Sequence, residues 1–558
     1  MGQGARVTRR ADVRRRSVLA SAAALPLVGC GRAALPAFDG GWIGAAHARG
    51  HRLRAAAAAS AVHGGVEQAP GVARRAGAIV IGAGIAGLAA ARALMRGGID
   101  DVRVFELEDG AGGNSRGHAM GGMACPLGAH YLPLPGEAAV EVALWLDEIG
   151  LRRGSAHGEP AYDERQLCHA PQERLFIGGE WVEGLLPPPD ALPAAQRAPA
   201  HAEYQRFEAA VVAASRGQAF AVPTARARPA PATAALDAIT FAAWLDRAGF
   251  LAPALRWYLD YCCRDDFGAG AGFVSAWAGL HYFASRHGFQ APGADAEARA
   301  AVLTWPQGNA WLVQRLAAPL GERLHTGRVA LRVREQRHDV DVLMWNAATQ
   351  ANEAWSAPHV VLAVPLFVAA RLLAAPPPAL APAAAALHHA PWLVANVQLT
   401  RPLIDRSGAA PAWDNVLFDS PTLGYVDAMH QSTLPHPGPT VLTVYWALGG
   451  DAPAELARRR GRLLSEPWTA WSDAVVHELS RAHPEVRAGI ARVDLMRYGH
   501  AMAVPAPGVR FHPALAALAQ ARGRVRFAHS DLAGYSVFEE AFIHGDRAGR
   551  EIARIRRG

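Results

Sequence analysis

The strongest constraint on this chain lies in seventeen consecutive residues. Ala78-Ile79-Val80-Ile81 is a short apolar run, β-branched from Ile79 on, and it feeds directly into Gly82-Ala83-Gly84-Ile85-Ala86-Gly87 and then Leu88-Ala89-Ala90-Ala91-Arg92-Ala93-Leu94. A buried strand, a glycine turn and a helix in immediate succession are the opening of a dinucleotide-binding unit. Gly82 permits the tight turn, Gly84 lets backbone approach a pyrophosphate, and Gly87 lets the helix close on the strand. The helix N-terminus then offers unpaired amides and a positive dipole to the phosphates. A second strand, Val102-Arg103-Val104-Phe105, ends on Glu106, 24 residues after Gly82, where a ribose-binding carboxylate is expected. An acid at this point argues against a 2′-phosphate on the ligand.

At 558 residues and 51% apolar composition, the chain can bury a large core and build two intertwined domains. The net charge of +7 invites a nucleic-acid partner, but its distribution removes the support. Residues 1–60 contain ten Arg and two Asp, a net of +8, so the remainder of the chain sums to −1. No nucleic-acid partner is expected. The chain contains no lysine, which excludes Schiff-base catalysis, a Walker P-loop and a lysine general base. Cys30, Cys125, Cys168, Cys262 and Cys263 show no zinc-type spacing, and no metal is expected.

Farther along, Leu107-Glu108-Asp109-Gly110-Ala111-Gly112-Gly113-Asn114-Ser115-Arg116 resembles the paired-glycine segment of the flavin amine oxidase superfamily. The resemblance returns in Arg328-Val329, in His359-Val360-Val361-Leu362-Ala363-Val364-Pro365, and in Arg526-Phe527-Ala528-His529-Ser530-Asp531 with Glu539-Glu540-Ala541 and Gly545-Asp546-Arg547-Ala548. These islands cover about a third of the chain, in the superfamily's order. The resemblance implies an α/β fold: a Rossmann-like, glutathione-reductase-type FAD-binding domain with an interleaved α+β substrate domain. It implies FAD held by Gly82, Gly84, Ile85, Ala86, Gly87, Glu106, Gly112, Gly113, Asn114, Arg116, Gly128, His130, Tyr131, Val329, Ser530, Asp531 and Phe538. The departures are informative. His529 and Glu540 stand where the superfamily has glycine, and aligning Pro505-Ala506-Pro507-Gly508 with its Pro-x-Gly turn leaves no cysteine for a thioether link to flavin. Non-covalent FAD is the expectation. The two positions that cage the amine in relatives fall on Ala501 and Val537, neither aromatic.

The expected partition assigns 77–135, 300–375 and 490–558 to FAD binding, and 136–299 with 376–489 to the substrate domain. Phe176 to Val182 reads as a hairpin turning on Gly178-Gly179, and Pro187 to Pro231 as irregular surface. Residues 1–30 read as an export signal. Arg14-Arg15-Arg16-Ser17-Val18-Leu19 before a short apolar run resembles a twin-arginine signal, which exports proteins folded around a cofactor. Leu27-Val28-Gly29-Cys30 resembles a lipobox, with cleavage after Ala46-His47-Ala48 as the rival, and residues 31–76 read as a flexible tether. Both routes imply a periplasmic protein, lipid-anchored to the membrane in the first.

For chemistry, Tyr498, His500, Tyr535, His281 and Asp265 are the candidates. Each has a structural alternative: core packing for His281, and a helix end with Arg–Asp pairing for the segment around Asp265. Val416 to Gln431, with Tyr425, Asp427 and His430, is a further candidate wall. The leading activity is hydride transfer from a small amine, polyamines included, to flavin N5. Desaturation of an apolar substrate is the rival, and a flavin-bearing electron-relay protein without turnover is a third reading. Relatives place a lysine near N5 to promote reaction with oxygen; its absence here favours a dehydrogenase that reduces a quinone or haem protein.

Overall fold

The computed structural model describes residues 38–54, 73–154, 160–216, 219–228, 230–292, 301–434 and 436–557. The signal motifs and Cys30 lie outside them.

A five-stranded parallel sheet forms the nucleotide side, in the order Leu324–His325, Val102–Phe105, Ala78–Ile81, Val360–Leu362, Val525–Phe527. Ala78–Ile81 lies at the centre with all four residues buried, as a strand covered on both faces demands. The helix Ile85–Arg96 follows the glycine turn. Its partner is the C-terminal helix Phe538–Arg557, and the two approach backbone to backbone. A Cβ on Gly545 would lie 1.9 Å from the Ala86 carbonyl oxygen, so only glycine permits that crossing. Gly87 is fixed in the same way: a Cβ there would sit 1.8 Å from the Gly82 carbonyl oxygen. Beside this sheet, Arg328–Glu335, Val340–Asn346 and Ala351–Ala357 form an antiparallel meander, joined in parallel by Arg74–Arg75.

The second layer is an eight-stranded mixed sheet. Its order is Asp39–Trp42, Ile490–Val504, His388–Leu399, Thr440–Ala447, Tyr425–Asp427, Asp414–Leu417, Glu173–Ile177, Glu180–Glu183. The last two strands form the expected hairpin, with Gly178 and Gly179 both at positive φ, 64° and 94°. Helices Pro253–Phe267 and Ala276–Tyr282 pack on the same side of the molecule as the core that includes Trp392, Val394 and Ala503.

Three boundary expectations are corrected. Residues 490–504, assigned to the nucleotide domain, are the longest strand of the large sheet, paired along His388–Leu399. The tether over 31–76 is wrong for 38–54: Asp39–Trp42 pairs in parallel with Arg492–Leu495, and residues 47–54 are helical. The irregular reading of 187–231 fails at Ala194–Ser215, a 22-residue helix that buries Ala200, Tyr204, Phe207 and Val211. Alanine, arginine and glutamate are strong helix formers, and that propensity outweighs the surrounding prolines.

Candidate functional site

A cavity of about 480 Å³ opens at the C-terminal ends of the parallel strands, where ligands bind in open α/β sheets. Gly82, Gly84, Ile85, Ala86, Glu106, Gly112, Gly113, Asn114, Val329 and Ser530 all line it, together with Val364 and Pro365 of the predicted strand–Pro segment. Local geometry suits a dinucleotide. Gly84 is the N-cap of Ile85–Arg96 and has no side chain to occupy the helix's first amides, and no acid stands in the first turn. A Cβ on Gly84 would meet nothing nearer than the Gly113 Cα at 3.9 Å, so the space beside its backbone belongs to the cavity. Glu106 is 8% exposed; its Oε2 accepts from the Ala83 N–H at 2.8 Å and its Oε1 from the Glu108 N–H at 2.9 Å. Burial pushes its carboxyl up, and the two amides and Arg116 oppose that. The remaining lone pairs are available to ribose hydroxyls. The cradle fits FAD.

Three assigned cofactor residues, Gly87, Arg116 and Asp531, stand behind the cavity wall. Gly87 serves helix–strand packing, as its spacing implied. Arg116 does not line the cavity: its guanidinium donates to the Gly44 carbonyl at 2.5 Å and lies 3.8 Å from Glu108. Asp531 is fully buried and acts as a brace, accepting from the Leu366 N–H at 2.8 Å and pairing with His389 at 3.0 Å. Facing His529 and His389 hold its carboxyl well below the usual range despite its burial. Gly545 of the closing motif belongs to the helix crossing described above.

On the substrate side the lining residues are His130, Tyr131, Asp265, Asp266, Arg286, Trp392, Tyr445, Tyr498, His500, Ala501 and Val537. Tyr445 and Tyr498 are held by one loop: the Tyr445 hydroxyl donates to Gly128 O at 3.0 Å, and that of Tyr498 to Leu127 O at 2.7 Å. His130 stacks on Tyr445 with centroids 4.3 Å apart and rings 22° from parallel. Burial lowers His130 and His500 to about 3, so both are neutral at physiological pH. Aromatic walls therefore exist, but Trp392 and Tyr445 supply them in place of the aliphatic Ala501 and Val537.

The charged corner is built by the end of Pro253–Phe267, which Gly268 terminates in the left-handed conformation (φ 74°). Asp265 and Asp266 lie there, with Arg286 from the next helical segment 3.5 Å from Asp266 and 3.4 Å from Glu539. Burial and then the neighbouring Asp266 push Asp265 up to about 7, against Arg286 and Arg264. Burial likewise raises Asp266 to about 6, against Arg286. Asp265 keeps its accessible surface toward the cavity and shares a hydrogen bond with Tyr131.

Two candidates for chemistry are corrected. His281 and Tyr535 do not line the cavity: they bond to each other at 2.9 Å, and the Tyr535 hydroxyl lies 3.1 Å from buried Glu540. His281 is stacked on Trp277 at 4.4 Å, on the buried face of Ala276–Tyr282. None of Val416 to Gln431 lines the cavity either; the Tyr425 hydroxyl is engaged by His483 at 2.7 Å. Sequence reasoning missed Arg286, Trp392, Tyr445, His389 and Asn309, all of which do. Among the described residues, no group of three or more His, Cys, Asp or Glu could hold a metal ion.

With this geometry in hand, a family model described as flavin containing amine oxidoreductase matches residues 85–553. Similar solved structures include a putrescine oxidase bound to putrescine, at 17% identity and a TM-score of 0.58. Another is cyclohexylamine oxidase from Brevibacterium oxydans IH-35A, at 18% identity and 0.62. Each comparison covers 87% of this chain and 100% of the other. A candidate protoporphyrinogen oxidase from Exiguobacterium sp. 255-15 aligns at 15% identity and 0.55, over 87% of this chain and 99% of its own. A search of curated proteins finds no match.

Proposed function

Because the chain belongs to the family of flavin containing amine oxidoreductases, we propose that it is an FAD-dependent dehydrogenase of a small amine, polyamines included. The observation that carries the substrate reading is the corner formed by Asp265 and Asp266, adjacent acids that both face the cavity. Glu539 lies nearby, and Arg286 is the cation set against Asp266 and Glu539. A desolvated pocket of this balance attracts an ammonium group. FAD would be held without a covalent link by Glu106 and the Gly82–Ala86 and Gly112–Asn114 backbone, and would supply the hydride acceptor. An amine must shed its proton before it gives up a hydride. Asp265, with a carboxyl near 7, can accept that proton at neutral pH. Trp392, Tyr445 and Tyr498 line the cavity and would exclude water from the reacting carbon. The imine formed is then hydrolysed outside the pocket, and a quinone or haem protein takes the electrons.

Ala501 and Val537 in the wall favour a second reading, desaturation of an apolar substrate. Anaerobic mixing with amine and apolar panels separates the two. Bleaching of the flavin by amines alone supports the proposal; bleaching only by apolar compounds replaces it; bleaching by neither leaves an electron-relay protein. Export by the twin-arginine route, with a lipid anchor at Cys30, belongs to the same proposal.

A further inference from the structure

The cofactor cavity has a wall that the nucleotide motifs do not account for. Gly50 and Leu53 line it, on a segment that precedes the first strand of the parallel sheet by some 25 residues. They line it with Glu106, Leu107 and Arg328–Ala330, the edge at which the ribose and its base of a dinucleotide would lie. The segment is fixed at both ends. Upstream, Asp39–Trp42 is hydrogen-bonded to the edge of the large sheet, and the Ile43 N–H donates to Leu495 O at 2.8 Å. Downstream, the Ala46 N–H donates to both oxygens of Glu108 at 3.0 and 3.1 Å. Arg49 donates to Leu107 O at 3.2 Å and pairs with Asp109 at 2.6 Å, and Arg52 lies over the Trp345 ring at 3.8 Å. Trp345 is the cross-strand partner of Val329. Leu53, 7% exposed, is the one apolar side chain of residues 49–54 turned inward, between exposed Arg52 and Arg54.

We propose that residues 43–53 form a strap that closes the adenosine half of the flavin cofactor site, so that FAD retention depends on chain lying before the dinucleotide fold. The inference rests on the FAD reading above. Ile43, Gly44 and His47 tie the start of the strap to Leu495, Arg116 and Arg497, while Ala46, Arg49 and Arg52 contact Leu107 to Asp109 and Trp345. Only Gly50 and Leu53 of the strap line the cavity, on the Leu107 side, so its direct effect is expected on the nucleotide half of the cofactor. A ligand lacking the adenosine half, such as riboflavin, should not sense it.

The test compares wild-type protein with Leu53→Ala and with Arg49→Ala/Arg52→Ala, each stripped of flavin and titrated with FAD and with riboflavin by fluorescence quenching. Expected is a loss of FAD affinity of about tenfold or more in each variant, with riboflavin affinity and the melting temperature of the flavin-free protein unchanged. Independently, FAD should slow tryptic cleavage after Arg49, Arg52 and Arg54 in the wild type, and riboflavin should not. Variants that hold FAD as tightly as wild type, or cleavage rates indifferent to FAD, overturn the strap alone. Wild-type protein that binds no FAD overturns the cofactor reading itself.

Discussion

Asp265→Asn tests the charged corner most sharply, because its consequences for stability and for turnover have signs that can be fixed beforehand. The Asp265 carboxyl is raised from 3.8 to about 7 by burial and by Asp266, against Arg286 and Arg264. The facing Tyr131 hydrogen-bonds it, and Asp414 repels it. A carboxyl raised on folding contributes stability that is complete below the unfolded value and is lost as pH rises to the folded one. Between pH 4 and pH 7 the unfolded chain gives up this proton while the native protein keeps it. The linkage is worth about 4 kcal/mol at 1.36 kcal/mol per pKa unit. Sharing of charge with Asp266 makes this the upper end. Thermal unfolding at pH 5, 6, 7 and 8 should show wild type losing stability relative to Asp265→Asn, with the gap levelling above pH 7. In the anaerobic reductive half-reaction, the limb of the pH profile near 7 should vanish in the variant and the rate fall by about 10²-fold or more. Parallel stability curves, or an unchanged limb near pH 7, would refute both the burial argument and the assignment of Asp265 as proton acceptor.

Gly84→Val should abolish FAD retention, read from the absorbance of purified protein, because its methyls would enter the space open beside Gly84; full occupancy would contradict the cradle. Wild-type protein should be yellow and release FAD on acid precipitation, whereas flavin remaining in the pellet would establish a covalent link. Reduced protein mixed with air-saturated buffer in a stopped flow should reoxidise slowly, and much faster with a quinone or dye, since the chain has no lysine to stand over the flavin; rapid return of colour with stoichiometric peroxide would make it an oxidase. Cys30→Ala should shift the protein from membrane to soluble fraction. Unchanged fractionation would remove the anchor, and the rival cut after Ala48 would itself sever the Ala46–Glu108 contact.

What the sequence made legible was chemistry that is local in the chain. Gly82 to Gly87 and Glu106 could be read because the turn, the helix start and the strand-end acid are each defined within a few residues. The Gly178-Gly179 hairpin was legible for the same reason. The strand Asp39–Trp42 was not: Asp-Gly-Gly-Trp has no alternation, and its strand character comes from Arg492–Leu495, some 450 residues away. Residues 490–504 were misplaced because proximity to the closing motif says nothing about which sheet a strand joins. His281 and Tyr535 carry the right chemistry but turn toward Trp277 and Glu540, a choice of face set by tertiary packing. Arg286 lies in Phe283–His287, a short π-helical segment without a recognisable motif, and only the fold carries it to Asp266.

The early start of ordered pairing at Asp39 has a consequence for where this protein can work. A tether running to residue 76 would let an anchored enzyme roam far from a bilayer. With pairing that begins at Asp39, eight peptide steps separate Cys30 from Phe38, and even fully extended they span only about 28 Å. If Cys30 is lipidated, as proposed, Asp39–Trp42 and the Ile490–Val504 strand it pairs with would stand within about that reach of the bilayer surface.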